Sequence, residues 1–311
     1  MDIKQMKALI GVEDYRGFSN AASAMETVQS NISTHISKLE SELQVVLVER
    51  RTGTLTLEGT AVAKRVRLIL KEMEAIQSDL FALKNDVRGN VRMGMIGTTA
   101  RWLIPLLVPE MKRRHPNLHF EVSEGTTTSL EARLHNGTVD LALVNKPSYS
   151  EDFAFKSLFE EEYVLFLGKS HPLASMKSVV IADLDGIELV VPPKGIPFRD
   201  LLDTLSKRNK IEFKVTAEVD GVRLIASMAF DGFAPAIIPA TAVPHYLTGD
   251  FAVLPVTDLP GRRIGIATRR RALESAPMIS VLSLLDEIFY KEGLTEFPMP
   301  GGTKRIGEYK P

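Results

Sequence analysis

The chain has 311 residues, of which 44% are hydrophobic and 25% charged, and its formal net charge is −1. This length and composition are typical of a globular protein with two or three domains. The sequence contains no cysteine, which excludes disulfide bonds, thiol nucleophiles, cysteine-ligated zinc and a thiol redox sensor. No stretch has the apolar core of a signal peptide or the ~20 apolar residues of a membrane span, so we expect a cytoplasmic protein with no membrane partner.

Three helices are predicted at the start of the chain. Met6–Val12 has an amphipathic pattern, and Gly17–Leu43 has the pattern of two short helices joined by a tight turn. The first of these two, Ser19–Met25, is rich in alanine, which lets another helix pack closely against it. In the second helix, apolar residues recur at spacings of 4, 3 and 4, as expected for one buried face. These residues are Ile32, Ile36, Leu39 and Leu43.

The opposite face of the second helix carries short polar side chains, which favour DNA recognition. Side chains of this kind at the start of a helix can meet base edges in the major groove. The alternative is a helical hairpin that has a polar outer face and binds nothing. Charge does not favour DNA, because residues 1–60 contain six cationic and eight acidic side chains. Phosphate contacts would therefore depend on a few well-placed cations.

A small wing is predicted beside the hairpin. Val45–Arg50 and Leu55–Thr56 have the pattern of two short strands, which places Arg50 and Arg51 near phosphates or a minor groove. Here the chain resembles the LysR-type transcriptional regulators, because FSNAASAMETVQSNISTHISKLESELQVVLVER agrees with the motif of that family at many positions in one register. The resemblance implies a winged helix-turn-helix DNA-binding domain over residues 1–59. It assigns DNA contacts to Gln29, Ser30, Asn31, Ser33, Thr34, His35, Lys38, Arg50 and Arg51.

The chain departs from the family motif at several positions. Val28 stands where the family usually has a serine that caps the recognition helix, so Thr27 is expected to cap one position earlier. Ser30 follows the glutamine where proline is frequent, and Thr34 and His35 stand where arginine is common. His35 is either a contact to DNA or a solvated helix residue. These departures bear on the preferred DNA sequence and not on the mode of binding.

Gly59–Arg88 is predicted to form one long helix. Apolar residues recur at alternating spacings of 4 and 3 over nearly four heptads, with charged residues between them. They are Val62, Val66, Ile69, Met73, Ile76, Leu80, Leu83 and Val87. This seam packs either on its own domain or on the same helix of a second copy, and the strict period favours the second copy. Residues 60–89 are therefore expected to be a dimerisation linker, and a dimer would bind a two-fold DNA site.

Strands and helices alternate from Val91 onward, which predicts an α/β domain over residues 90–311. One lobe is expected over about 90–160 and 251–295, and a second over about 161–250, with a loosely ordered tail from Pro298. Two α/β lobes joined by two crossings resemble the type 2 periplasmic binding proteins. This agrees with the effector domain that the LysR-type resemblance implies, and the resemblance covers about residues 1–295.

The effector cleft is expected beyond the carboxyl ends of the strands. Gly97–Ala100 and Gly125–Thr128 each open a helix, and their N–H groups and hydroxyls suit an anion, although helix capping also favours threonine. Arg101, Lys146 and Lys194 are candidate partners for a carboxylate. By resemblance to the family, the cleft would be lined by Thr98, Thr99, Thr128, Asn145, Lys194, Gly195 and Ile196.

The chain carries no G-x-G-x-x-G, Walker loop, H-E-x-x-H or G-x-S-x-G motif, so neither an enzyme nor a cofactor is expected. The sequence is interpreted as a LysR-type regulator that binds promoter DNA as an oligomer and responds to a small anionic effector. The family resemblance implies a tetramer, built as a dimer of dimers, that controls access of RNA polymerase. The alternative is a cytoplasmic small-molecule-binding protein or enzyme that carries an inert helical hairpin.

Overall fold

The computed structural model describes residues 1–146, 151–243, 249–270, 272–290 and 299–306. Three helices and a long fourth helix lead into two α/β lobes. Within the described residues, no helix combines the length and apolar character needed to cross a membrane. The elements are α1 (Ile3–Asp14), α2 (Phe18–Ala24), α3 (Gln29–Leu43), α4 (Leu57–Ala82), β1 (Gly89–Met95), α5 (Gly97–Arg114), β2 (Leu118–Glu124), α6 (Thr127–His135), β3 (Leu141–Asn145), β4 (Phe153–Glu161), β5 (Tyr163–Gly168), β6 (Glu188–Val191), α7 (Pro197–Asn209), β7 (Lys214–Glu218), α8 (Val222–Phe230), β8 (Ala236–Pro239), β9 (Phe251–Pro255), β10 (Arg262–Arg269), α9 (Ala276–Tyr290) and β11 (Thr303–Arg305).

The first three helices form the predicted helix-turn-helix unit. α1 begins with a reciprocal capping box, in which the Gln5 N–H donates to the Asp2 carboxylate at 2.9 Å and the Gln5 side chain accepts from the Asp2 N–H at 2.8 Å. The predicted inner face of α3 is buried in a core shared with α1 and α2. Leu43 is the exception and stays 37% exposed, because α3 ends there and Gln44 takes a left-handed conformation.

The wing is smaller than predicted. Instead of two strands, a single antiparallel bridge joins Val48 to Leu55. The turn between them is closed by the Gly53 N–H, which donates to the Glu49 carbonyl at 2.8 Å. Gly53 has a φ of +71° and lies so close to Gly17 that a Cβ would sit 2.9 Å from the Gly17 Cα. The wing is therefore a tight turn held against the start of α2.

The linker helix α4 ends earlier than predicted, at Ala82 instead of Arg88. Its 26 residues span about 39 Å at ~1.5 Å per residue. Val66 is buried against the first three helices, whereas Ile76 and Leu80 are 62% and 59% exposed. The chain leaves the helix through a turn in which Asn85 has a φ of +60°. The last two residues of the predicted heptad seam, Leu83 and Val87, therefore lie beyond the helix.

The first lobe is built on a six-stranded sheet in the order β11-β4-β10-β3-β1-β2. β1 pairs in parallel with both β2 and β3, as the β-α-β-α-β pattern predicts, and β10 returns antiparallel between β3 and β4. α5 begins at Gly97, directly after β1, and not at Arg101 as expected. This earlier start places Thr98 and Thr99 in the first turn of α5 instead of in a loop.

The second lobe is a five-stranded sheet in the order β7-β6-β8-β5-β9. β9 pairs with β5 over its whole length, so the expectation that the chain returns to the first lobe at Phe251 is wrong. The chain crosses out of the first lobe between β4 and β5, and it crosses back between β9 and β10. Glu161 is the last residue of β4 and Arg262 is the first residue of β10, and the two lie opposite each other in the register of the sheet.

The described part of the tail is more ordered than predicted. β11 adds an antiparallel edge strand to β4, with Thr303 opposite Glu161 and Arg305 opposite Phe159. Residue 298, residues 307–311 and the predicted lobe end at 295 lie outside the described residues. The strand β11 therefore covers an edge of the first sheet beside the crossing.

Candidate DNA-binding face and effector cleft

The start of α3 presents a polar face to solvent. Its first turn has no side-chain cap, and the expected cap Thr27 instead accepts a hydrogen bond from the Asn31 side chain at 3.1 Å. The expectation that Thr27 caps α3 is therefore wrong, and the first N–H groups of α3 form an open positive end. The predicted DNA-contacting residues that are exposed on α3 are Gln29, Ser30, Asn31, Thr34 and Lys38.

Arg50 lies across α3, and its side chain stays 44% exposed. Its guanidinium donates to the Glu40 carboxylate at 2.5 Å and to the hydroxyls of Ser37 and Ser33 at 3.1 and 3.3 Å. It also stands 5.1 Å from the centre of the Phe18 ring. Arg50 therefore fastens the wing to α2 and α3. Ser33 is half-buried beneath it.

His35 is half-buried, and its Nδ1 is shielded from solvent with no hydrogen-bond partner among the described residues. The ring lies near Asp2 at the start of α1. The pKa of Asp2 is lowered first by the Gln5 N–H and more weakly by His35. Of the two interpretations left open by the sequence, full solvation does not match this placement, and a contact to DNA stays a prediction.

A cavity of about 600 Å³ opens between the two lobes beside the crossings. Asn145, Lys146 and Glu160 contribute to its wall from the first lobe, and Tyr163 and Phe198 contribute from the second. The Tyr163 and Phe198 rings stack with their centres 4.3 Å apart. Burial raises the pKa of Tyr163, which keeps its phenol neutral. The remaining lining residues are Pro197, Leu201, Pro260, Gly261, Arg262 and Arg263.

A buried ion pair ties the lobes together next to this cavity. The Glu161 carboxylate is fully buried and pairs with the Arg262 guanidinium. Glu161 also accepts from the Thr241 hydroxyl at 2.6 Å, and Arg262 donates to the Thr98 hydroxyl at 2.7 Å. This network joins the first turn of α5 in one lobe to the segment that follows β8 in the other.

Two further contacts hold the lobes in this arrangement. Arg101 donates to the Thr241 carbonyl at 2.7 Å and to the Ala242 carbonyl. Arg223 on α8 of the second lobe pairs with Glu124 of the first lobe at 2.8 Å. Arg101, a candidate charge partner for the effector by sequence, therefore donates hydrogen bonds to the second lobe.

The predicted cleft residues do not all meet. Asn145 lines the cavity, and the Thr98 hydroxyl accepts a hydrogen bond from Arg262, which also lines it. Thr99 is fully buried in the first lobe, its hydroxyl has no partner among the described residues, and it is not part of the wall of this cavity. Thr128 and the loop Lys194–Ile196 are exposed and lie outside the cavity wall.

Sequence reasoning missed the charged pair at the centre of the site. Glu161 belongs to a run of three glutamates at the first crossing, and Arg262 belongs to a pair of arginines at the second. Opposite charges at the two crossings are a pattern from which the pairing could have been predicted. Of the stacked pair, Tyr163 follows the first crossing and Phe198 lies in the first turn of α7. No periodic pattern in the sequence indicates that the two rings meet.

Two family models match the chain and together cover most of it. The bacterial regulatory helix-turn-helix protein, lysR family, matches residues 3–60, and the LysR substrate binding domain matches residues 84–289. The second match alone spans more than half of the chain. The matched segments contain α3 with its polar face and the two lobes with the cavity.

Curated relatives are regulators of the same kind. The DNA-binding transcriptional dual regulator OxyR of Escherichia coli is 28% identical over 86% of this chain and 90% of its own length. A probable hydrogen peroxide-inducible genes activator of Mycobacterium avium is 30% identical over 86% of this chain and 88% of its own.

Solved structures share the fold. A full-length OxyR variant from Pseudomonas aeruginosa, in which one cysteine is replaced by aspartate, superimposes with a TM-score of 0.72 at 24% identity, over 92% of this chain and 94% of that one. CbnR, a LysR family transcriptional regulator, has a TM-score of 0.65 at 23% identity, over 92% of this chain and 98% of that one. The helix-turn-helix unit, the two-lobed domain and these relatives agree, and the chain belongs to the LysR family of DNA-binding transcription regulators, not to a family of enzymes.

Proposed function

We propose that this chain recognises promoter DNA with the first turns of α3 and that two chains bind one two-fold site. The observation that carries the proposal is the exposed polar face at the uncapped start of α3. Ser30, Asn31 and Thr34 are placed to meet base edges, and the open N–H groups suit a phosphate. CbnR has been solved in complex with its target DNA, and this chain shares its fold.

The cations divide into two roles. Lys38 and Arg51 are exposed and reach solvent, which suits phosphate contacts. Arg50 is bonded to Glu40 and stacked on Phe18, so its main role is to position the wing and α3. Ser33 and His35 are half-buried on α3 and are proposed to affect DNA selectivity indirectly, through the position of α3.

Self-association is proposed along α4. Ile69, Met73, Ile76 and Leu80 keep to the predicted heptad spacing and are 37 to 62% exposed. An apolar stripe of this kind is suited to the same stripe of a second copy. A dimer through residues 60–89 would pair two α3 helices, and two dimers would form the expected tetramer.

The proposed effector is a small anion, with a carboxylate as the expected group, in the cavity between the lobes. Lys146, Arg262 and Arg263 supply positive charge, and the stacked Tyr163 and Phe198 supply an aromatic wall. Asn145 completes the polar lining. Thr128 and Lys194–Ile196 are proposed as parts of the rim, which a closing movement of the lobes would bring nearer.

The effector acts without covalent thiol chemistry. Several relatives are named as hydrogen peroxide-inducible gene activators, and one structural relative is a cysteine variant of OxyR. This chain has no cysteine, so a thiol cannot serve as its sensor. The response must come from differential binding, in which the ligand favours the lobe arrangement that it binds more tightly.

The output is proposed to be a change in the spacing of the DNA-binding pairs, and with it the access of RNA polymerase to the promoter. Because the target is chromosomal DNA, the proposed location is the cytoplasm. Both proposals depend on DNA binding by α3. They are tested only after that binding has been measured.

The first experiment measures binding to the DNA upstream of the protein's own coding region, with and without an excess of random DNA. Ser30→Ala removes a proposed base contact and is expected to lower specific affinity about 10-fold. Ser41→Ala makes the same change at the far, exposed end of α3 and serves as the matched control. If the wild-type chain shows no preference over random DNA, with or without cell metabolites, the hairpin is a structural element and the proposal is wrong.

A further inference from the structure

A second cavity, of about 250 Å³, lies where the linker helix α4 passes the first lobe, and we call it the junction cavity or junction site. It is separate from the cavity between the lobes, and the two share no lining residue. Its wall is made by α4, the start of β1, the end of β10 and the start of α9. It carries four cationic and three acidic side chains. These are Lys71, Arg88, Arg92 and Arg269, and Glu72, Glu74 and Asp140.

Asp140, the most buried of these acids, already has a partner for each of its carboxylate oxygens. One of its carboxylate oxygens pairs with the Lys71 ammonium, and the other accepts from the Arg92 backbone N–H at 2.7 Å. This side chain is 17% exposed, and that of Lys71 is 13% exposed. Asp140 therefore balances the charge of Lys71, and each of its oxygens already accepts one hydrogen bond.

Two guanidinium groups of the cavity wall, those of Arg92 and Arg269, make no hydrogen bond to a carboxylate among the described residues. The carboxylates nearest to Arg92 are those of Glu121 at 3.8 Å and Glu74 at 4.0 Å, beyond hydrogen-bonding distance. The Nε of Arg269 is shielded from solvent and has no hydrogen-bond partner in the part of the chain that the structure describes. Burial lowers the pKa of Arg269 and outweighs the opposite influence of the Asp140 and Glu72 carboxylates.

We propose that this cavity binds a phosphate group between Arg92 and Arg269, with Lys71 behind them. A planar guanidinium offers parallel N–H donors that match two oxygens of a phosphate, and two such groups would satisfy the unpartnered donors. The cavity volume admits inorganic phosphate or the phosphate of a small monoester. Lys71 lies on α4, whereas Arg92 and Arg269 lie on strands of the first lobe. A bound phosphate therefore fastens the linker helix to the lobe.

The first test measures the thermal unfolding midpoint of the full chain in phosphate and in chloride at matched ionic strength. Phosphate is expected to raise the midpoint of the wild type, as any ligand of the folded state does. Arg269→Gln is expected to abolish this rise. Arg263→Gln removes the same charge from the other end of β10, in the cavity between the lobes, and is expected to leave the rise intact. If Arg263→Gln abolishes the rise instead, phosphate binds between the lobes and the junction site is wrong.

A second variant avoids any loss of folding. Leu273 lies on the rim of the junction cavity and is 81% exposed, so its replacement does not disturb a core. Leu273→Glu is expected to weaken the response to phosphate at least about 10-fold in concentration, and Leu273→Gln is expected to keep it. Equal responses in these two variants would contradict the proposal, as would a wild type whose midpoint phosphate does not move.

Hydrogen exchange locates the bound group and distinguishes its source. Phosphate is expected to slow exchange in peptides that cover residues 68–76 and 88–94, and not in those that cover 195–201. Glycerol phosphate is compared with inorganic phosphate. Stronger protection by the monoester assigns the site to a phosphorylated metabolite, and equal or weaker protection assigns it to free phosphate. Protection confined to 195–201 would overturn the junction site while leaving DNA binding and the cleft untouched.

Discussion

Glu40 shows how one side chain fixes the geometry of a DNA-binding surface. Its carboxylate accepts the Leu47 and Val48 N–H groups at 2.9 and 3.2 Å, and it also receives Arg50. The chain that leaves α3 is therefore held against the helix by three bonds to one residue. The apolar periodicity of α3 does not include Glu40, and it does not show that the carboxylate turns back to the chain.

Glu40→Ala is expected to lower the free energy of unfolding by about 2 kcal/mol, because two buried N–H groups lose their acceptor. Urea denaturation of the full chain, followed by a probe in the helix-turn-helix unit, measures the change. Glu49→Ala removes an exposed acid a few residues away and should change stability by less than about 0.5 kcal/mol. Equal losses in the two variants would show that Glu40 has no special role.

Arg51 is expected to act on DNA without acting on the fold. It is exposed and has no ion pair among the described residues. Arg51→Ala should weaken binding to all DNA sequences alike and reduce the slope of log affinity against log salt by about 0.9, the value for one phosphate contact. A salt series by fluorescence anisotropy measures the slope, with Lys177→Ala, an exposed residue of the second lobe, as control. An unchanged slope would remove Arg51 from the interface.

At the scale of elements, local patterns predicted which elements form better than where they end or pair. The heptad spacing of α4 continues to Val87, yet the helix stops at Ala82, because spacing alone does not distinguish a last helical turn from the turn that follows. β9 was assigned to the wrong lobe, since pairing with β5 joins residues about ninety positions apart. Non-local pairing of this kind leaves no trace in the periodicity of a strand.

The crossings between the lobes are expected to depend on the pair Glu161 and Arg262. Arg262→Met leaves a fully buried carboxylate without its cation, which should cost about 3 kcal/mol in the stability of the two-lobed domain. Adding Glu161→Gln should recover a large part of that loss, because the buried charge is then gone. Urea unfolding of the two single variants and the double variant gives the coupling. Additive losses would mean that the pair does not hold the lobes.

At the scale of the whole molecule, polar contacts join α4 to the elements at both of its ends. Arg67 of α4 pairs with Glu13 and Asp14 of α1 at 2.6 Å. Asp79, further along α4, accepts the N–H of Ala276 at the start of α9 at 2.8 Å. Polar joints between domains can exchange partners at modest cost, which suits a protein that moves between arrangements. A signal from the cleft would reach α3 through these joints and the proposed dimer.

The last prediction concerns that dimer. Ile76 is 62% exposed on the apolar stripe of α4, so Ile76→Glu leaves the fold of one chain intact but places two carboxylates opposite each other in a pair. The variant is expected to form a smaller assembly than the wild type by light scattering and to bind the two-fold site at least about 100-fold more weakly, because the second α3 is no longer tethered. Leu224→Glu introduces the same charge at an exposed position of α8 and should keep the wild-type assembly. If Ile76→Glu keeps the assembly and the DNA affinity of the wild type, the subunits associate elsewhere, and the stripe on α4 must be covered by another surface.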